Sequence, residues 1–440
     1  MCAVCTGKTI TVNAAGGADF TTIQDAINDL NTMDSDEIVV APGTYCEAIN
    51  FLGKAVQLYS SGGPEITVID GTGAYHVVQC ISGEGPGTIL EGFTITGGNA
   101  SSGPSAGDYG GGGMYNDNSS PTVTGCIFTG NLSIFGGGMY NLSSSPTVTH
   151  CNFVENRATY GGGMHNSSSR PTVTHCVFSG NSAINSGGGM SNSSSSSTVI
   201  GCTFTGNSST YGGGVSNTFS SPTVTHCVFS GNLASSSGGG MDNWDDSNPT
   251  VTGCTFTGNS STFGGGMSNI SSSPTVTNCT FSGNAASSSG GGMNNSNNSP
   301  TVTNCILWGD TPDEIFNTAS SPVVTHCNVQ GAGGTGNIDA DPLFVHAAGG
   351  NLRLTFGSPC IDAANSVALQ SIPWSAFDLD DRTRYYDVVS ISDTGAGFYT
   401  YLDMGAYEFQ CNGSEGDITC DGVVDLQDLA ILAAHWLQGV

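Results

Sequence analysis

Apolar residues in the middle of this chain come in runs of three to five, separated by Gly, Asn and Ser. Gly-Gly-Gly followed by Met or Val recurs at Met114, Met139, Met164, Met190, Val215, Met241, Met267 and Met293. An Asn stands two residues after each of these, from Asn116 to Asn295. Pro-Thr-Val-Thr or a near variant follows, and then Cys-x-Phe, from Cys126 and Phe128 to Cys279 and Phe281. Cys305 and Cys327 continue the cysteine column with Leu307 and Val329 in the Phe slot. Successive cysteines lie 25, 25, 26, 25, 27, 25, 26 and 22 residues apart. Runs this short suit strands and cannot complete a helix. Within each run alternate residues share a face, so Met with Asn, the Val, and Cys with Phe can all point the same way.

Three strands and three corners in about 25 residues make one coil of a stacked solenoid, with coils about 4.8 Å apart. The expected interior is a column each of Met, Val, Cys and Phe. Gly and Asn supply the left-handed backbone of sharp corners. Asn columns can hydrogen-bond from coil to coil and satisfy the turns. A second period lies on the first. The segments before the Gly run alternate between five residues (Ser182–Ser186, Leu233–Ser237, Ala285–Ser289) and four (Ser208–Tyr211, Ser260–Phe263). That points to a duplicated two-coil unit of about 51 residues.

The GGGM-x-N and F-x-G-N pattern resembles the GGAI and FxxN repeats of polymorphic outer-membrane-type proteins. More broadly it resembles the right-handed parallel β-helix, or pectate-lyase-like, superfamily. The resemblance implies an all-β fold and says little about function. It divides the chain into an N-terminal cap with first coils (1–110), regular repeats (111–336), a C-terminal cap (337–410) and a tail (411–440).

DFTTIQDAI from Asp19 resembles a segment near the start of pectin-esterase-like β-helices. Ile23, Ala26, Ile27 and Leu30 fall on one helical stripe, which predicts a short amphipathic helix covering the open end of the core. IVVAPGTY from Ile38, AVQL from Ala55, TVIDG from Thr67 and LEGFTITGG from Leu90 read as strands of the first coils. NIDADPLFV, LRLTFGSPCIDAA and DMGAYEF resemble the closing segment of secreted bacterial β-helix surface proteins. Its acids Asp339, Asp341, Asp362, Asp378, Asp380, Asp381 and Asp403 suit either a metal site or turns, and turns are the commoner use.

DITCDGVVDLQD from Asp417 has the spacing of an EF-hand loop. Asp417, Thr419, Asp421, Asp425 and Asp428 supply side-chain oxygens, Val423 a carbonyl, and Gly422 the sharp turn. With the apolar run from Leu429 it resembles a dockerin type I repeat, present once where a dockerin has two. Ca2+ is the implied cofactor, while a cohesin partner is doubtful.

The 440 residues include only 7 Lys plus Arg against 35 Asp plus Glu, a formal charge of -28. Nucleic-acid binding, which needs cations against phosphate, is excluded, and an anionic membrane surface is disfavoured. No apolar run of 18 residues exists to span a membrane. Most of the 16 cysteines fall in the interior column. There, parallel Cβ atoms stay too far apart for disulfides, and free thiols are expected. Cys411 with Cys420, and Cys2 or Cys5 with Cys46, are the pairs that could close disulfides. Several Asn-x-Ser sites (Asn118, Asn131, Asn141, Asn166, Asn192, Asn207, Asn259, Asn269) invite glycosylation, although Ser/Asn-rich corners produce that pattern unaided.

For chemistry, the repeats 111–309 hold only Arg157 and Arg170 as cations, so a lyase-type arginine among clustered acids is not evident. Asp242, Trp244, Asp245 and Asp246 form one local constellation, a carbohydrate contact if the ring stacks on a sugar and a decorated loop otherwise. His150, His175, His226 and His326 each precede a column cysteine. They are read as corner residues before metal ligands. Rows of outward Thr, such as Thr122 with Thr124 and Thr147 with Thr149, also occur in ice-binding solenoids. The expectation is a secreted, non-catalytic structural protein of a cell surface or matrix, self-assembling or bound to other surface proteins. The alternatives are a polysaccharide-binding or polysaccharide-degrading β-helix and, less favoured, an ice-binding one.

Overall fold

A computed structural model of the chain describes residues 7–102, 109–369, 377–388, 391–410 and Leu429. It is an all-β solenoid of parallel strands. Sheets of 13, 12, 11 and 8 strands run the length of the stack. In one coil, Met164–Ser167, Thr172–Thr174, Val177–Ser179 and Ser182–Ser186 each join a different sheet. The eight-stranded sheet is a fourth wall where three were expected. It is built from the alternating four- and five-residue segments. The extra residue of each five is absorbed as a register shift, so Tyr160 pairs with Ser186 and Ser186 with Tyr211. The Gly runs therefore stay aligned despite unequal coils.

The interior follows the period-2 pattern. Met, Val, Cys and Phe columns are buried along the repeats. Phe128, Phe153, Phe178, Phe204, Phe229, Phe256 and Phe281 stack with ring centroids 4.5 to 5.0 Å apart. The nine column cysteines are free. The Cys176 Sγ lies 3.3 Å from Thr174 O and accepts from the Cys151 N–H at 3.4 Å, and its neighbours repeat this. Cys46 is also free and exposed. Cys2, Cys5, Cys411 and Cys420 lie outside the described residues, as do the disulfides expected of them.

The buried Asn side chains of the coils are partnered by repetition. From Asn116 to Asn317 each amide donates Nδ2–H to the next Oδ1 at 2.8 to 2.9 Å. A second ladder starts at Asn131. There Asn207, for instance, donates to Phe178 O and Asn232 Oδ1 and accepts from the backbone and side chain of Asn181. These ladders consume Asn131, Asn141, Asn166, Asn192, Asn207, Asn259 and Asn269, all buried. Seven of the eight Asn-x-Ser sites are thus closed to a glycan in the folded chain, and only Asn118 is exposed.

The Gly triplet is dictated by backbone proximity. A Cβ on Gly162 would lie 2.5 Å from Gly188 O and 2.7 Å from Ser182 N. The corner before each column cysteine has positive φ throughout: Gly125, His150, His175, Gly201, His226, Gly253, Asn278, Asn304 and His326. This corner is therefore selective for left-handed backbone, and His alternates with Gly and Asn for that reason.

At the N-terminus the helix Ile23–Asn28 buries Ile23, Ala26 and Ile27 in the same core as the first strands. Glu47 caps it, accepting from the Ile23 and Gln24 N–H groups at 2.8 Å. The expected fourth stripe residue differs. Leu30 is 91% exposed, because the helix ends at Asn28 and the i+7 position falls beyond its last turn.

The segment after 337 does more than close the stack. Asn337 and Ile338 bond to Cys327 and finish the columns. The chain then doubles back along the side of the solenoid. Ala406 N donates to Thr280 Oγ1, Gly405 N to Asn304 O, and Asn278 Nδ2 to Asp403 O. A second core forms between wall and flank from Ile306, Leu354, Cys360, Ile361, Leu402 and Met404, among others. Thr225, Thr252, Thr277 and Thr303 are consequently buried, so the expected second Thr row is covered over its last four coils, while Thr124, Thr149 and Thr174 stay partly exposed.

Candidate functional site

The residue immediately before each Gly run forms a column at the corner of the fourth sheet. In register it reads Gly110, Phe135, Tyr160, Ser186, Tyr211, Ser237, Phe263, Ser289. Four-residue segments end in an aromatic and five-residue segments in Ser, so from Tyr160 onward a ring appears every second coil. Two coil spacings place these rings roughly 10 Å apart along the axis.

One groove beside this column gathers three rings. Tyr160, Tyr211 and Trp244 line a hollow of about 260 Å3 together with Asn185, Asp242 and Asp245. The Tyr211 and Trp244 ring centroids are 5.8 Å apart at 54°. Asn185 Nδ2 donates to the Tyr160 hydroxyl at 3.0 Å. Trp244 is 39% exposed.

The four predicted contact residues thus divide. Trp244 and Asp245 stand at the groove. Asp242 reaches it from beneath, buried and accepting from Ser237 Oγ at 2.7 Å. Burial pushes its carboxyl up to about 7, so it is a neutral hydrogen-bonding group in mildly acidic solution. Asp246 does not line the groove. Its N–H donates to Ser271 O and its carbonyl accepts from Asn248, and it is exposed at the corner where Asp245 and Asp246 both take positive φ. Tyr160 and Tyr211 escaped the sequence reading. The available signal was the aromatic residue directly before GGG.

The groove can pack sugar rings against aromatic faces and exchange hydroxyl hydrogen bonds with Asn185 and Asp245. Arg157 and Arg170, the cations of the repeats, stand at different corners. Arg157 lies beside Glu155 in a separate concavity, and Arg170 bonds through its backbone to Ser145.

A second cleft, of about 520 Å3, opens between wall and flank, lined by His175, His226, Asp380, Asp381 and Tyr407 among others. Asp380 is held by Arg353, which also sits 4.7 Å from the Tyr407 ring centroid. His150 and His175 stack with centroids 5.2 Å apart. Farther along, Asp310 ends the second Asn ladder by accepting from Asn284 Nδ2, and Glu314 accepts from the Asp310 N–H. Burial, and then the neighbouring Glu314, push the Asp310 carboxyl well up. Neither acid had a sequence signal beyond a coil that departs from the repeat. The predicted Ca2+ ligands Asp417, Thr419, Asp421, Val423, Asp425 and Asp428 lie outside the described residues.

A family model described as the right-handed β-helix region matches residues 41–204 and 159–268. The chain belongs to the right-handed β-helix family. No curated protein matches it in sequence. Among solved structures it is similar to pectate lyase Pel9A, with 13% identity, coverage of 92% of this chain and 97% of that one, and a TM-score of 0.43. It is also similar to the tailspike protein gp49 of Acinetobacter baumannii bacteriophage Fri1, a capsular polysaccharide depolymerase. There the identity is 11%, the coverage 66% and 56%, and the TM-score 0.37. A third is the catalytic unit of the GH87 α-1,3-glucanase of Streptomyces thermodiastaticus strain HF3-3, at 11% identity, 73% and 66% coverage and a TM-score of 0.31. Among the described residues no helix is long and apolar enough to cross a membrane.

Proposed function

We propose that this β-helix is a non-catalytic glycan-binding protein that works outside the cell and holds an extended polysaccharide along the corner marked by Tyr160, Tyr211 and Phe263. The observation that carries this is the convergence of Tyr160, Tyr211 and Trp244 on one groove with Asn185 and Asp245. A ring every second coil, roughly 10 Å apart, suits a linear glycan lying parallel to the solenoid axis with successive disaccharides on successive rings. A cell-surface or matrix role fits within this proposal, since a rigid rod that grips glycan is a structural component. Self-assembly is not needed for it. The tail is then a separate Ca2+-binding loop that attaches the rod elsewhere.

Affinity electrophoresis through gels containing linear polysaccharides tests the proposal. At least one polysaccharide should retard the chain. Trp244→Ala with Tyr211→Ala should weaken that retardation at least about tenfold, roughly 1.4 kcal/mol, while circular dichroism stays unchanged. No reducing ends should be released on long incubation. Binding that survives both substitutions, or turnover of the retained glycan, would overturn it.

A further inference from the structure

The flank contains an acidic cluster built differently from the turns around it. Most acids in this segment have ordinary partners. Asp378 Oδ1 accepts from the N–H groups of Asp380 and Arg382, Asp341 accepts from Leu343 N, and Asp380 pairs with Arg353. Asp362 does not share this. Its backbone is fully engaged, the N–H donating to Asp403 Oδ1 at 2.9 Å and the carbonyl accepting from Thr394 N at 2.8 Å and Gly395 N at 2.9 Å. Its side chain is 0% exposed, yet both carboxylate oxygens lack a hydrogen-bond partner.

Those oxygens face two other carboxylates. Ligand atoms of Asp362, Asp387 and Asp393 all lie within 4.8 Å of one another. Asp387 and Asp393 are exposed, and Asp393 accepts from Thr400 Oγ1 at 2.6 Å. Neighbouring arginines are committed elsewhere: Arg353 to Asp380, and Arg384 to Phe377 O, Ala406 O and Glu408. An unpartnered buried carboxylate facing two like charges is costly. A hard cation would remove that cost, and oxygen-only donors select calcium or magnesium. Two oxygens bound to Ca2+ at 2.3–2.6 Å stand up to about 5 Å apart, a span that these three side chains satisfy, and water can complete the shell from the exposed side.

We infer that Asp362, Asp387 and Asp393 bind one calcium ion, which ties Asp387 and Asp393 to the turn carrying Asp362. The ion locks the flank beside Asp403, whose Oδ1 already accepts from the Asp362 N–H. This site shares no residue with the glycan groove.

The test uses the full chain with the tail loop silenced by Asp417→Ala, Asp421→Ala and Asp428→Ala, and terbium as the probe. Tyr401 stands near the cluster. Burial, Tyr399 and then Asp387 push its hydroxyl up, and its ring can sensitise a bound terbium ion. The silenced chain should show tyrosine-sensitised luminescence that saturates at one ion and is displaced by calcium. Asp393→Asn, at an exposed position that leaves the fold intact, should weaken it at least about tenfold, and Asp362→Asn should do the same. A folded, tail-silenced chain without calcium-displaceable luminescence would overturn the site. So would luminescence unchanged by Asp393→Asn.

Discussion

The repeat wall and the flank bury polar groups by opposite means. In the wall each Asn meets the same Asn one coil away, so donors and acceptors match along the stack without any charge. In the flank, burial falls on ionisable groups, and burial pushes the carboxyls of Asp362, Asp403 and Glu408 up toward their neutral forms. Arg384 is 1% exposed and reaches Glu408 at 3.7 Å, Asp378 and Asp403 are buried beside Glu408, and buried Asp362 bonds to Asp403. A translational stack supplies each amide with its complement for free, whereas an irregular layer must assemble partners one by one. Ionisable groups can fix such a layer, but they make it dependent on pH and on counter-ions.

That contrast can be broken most sharply at Arg384. Arg384→Ala leaves Glu408 buried without its cation and should cost about 3–5 kcal/mol. The loss should be confined to the flank: hydrogen exchange should rise across 351–410 while the Phe stack stays protected. Uniform loss across both regions would mean that wall and flank fold as one unit. Within the wall, Asn207→Ala strands Phe178 O and the Asn181 N–H. At about 1–3 kcal/mol for each unmatched buried group, urea unfolding should fall by about 3 kcal/mol, this time in the stack.

Asp242 is one buried carboxyl of the wall, Asp310 at the end of the second ladder being another, and it stands in a column otherwise occupied here by Ser191, Ser216 and Ser268. Its folded value, about 7, lies above the unfolded value of 3.8. The folded chain holds this proton more tightly, so its contribution is full below about 4 and is lost as pH rises to 7. The slope is at most about 1.4 kcal/mol per pH unit. Asp242→Asn should flatten that segment of the stability curve while keeping the Ser237 hydrogen bond. An unchanged slope would place the dependence in the flank. The smallest effect is expected at Leu30. Leu30→Ser should change the melting free energy by less than about 0.5 kcal/mol, because the side chain packs on nothing that counts toward the core.

Much of the wall was legible residue by residue. Cys126, Phe128, Met139 and Val148 were assigned inward from alternation alone, and each is fully buried. The fourth sheet was not, because its segments lack apolar alternation and become strands only when a neighbouring coil lies against them. Leu30 was misplaced because the stripe had no stop signal that placed the helix end at Asn28. At the groove, Trp244 and Asp245 were visible as a local cluster. Tyr160 and Tyr211 come from coils two apart, and only stacking brings them to Trp244. Asp362 was noticed among the flank acids, but its partners Asp387 and Asp393 follow it by 25 and 31 positions across an irregular segment.

The sequence by itself determined the coil. A period near 25 with alternating inward residues specifies one supersecondary unit, and identical units can only stack. It also determined where charge would be scarce, since the repeated inward columns are Met, Val, Cys, Phe and Asn. The tertiary structure alone decided how the ends are used. The flank packs sideways over Thr252 and Thr277 instead of merely closing the stack, converting a surface into a second core. That choice rests on contacts between residues more than a hundred positions apart, Asn278 with Asp403 and Thr280 with Ala406, and a local period carries no information about such pairs.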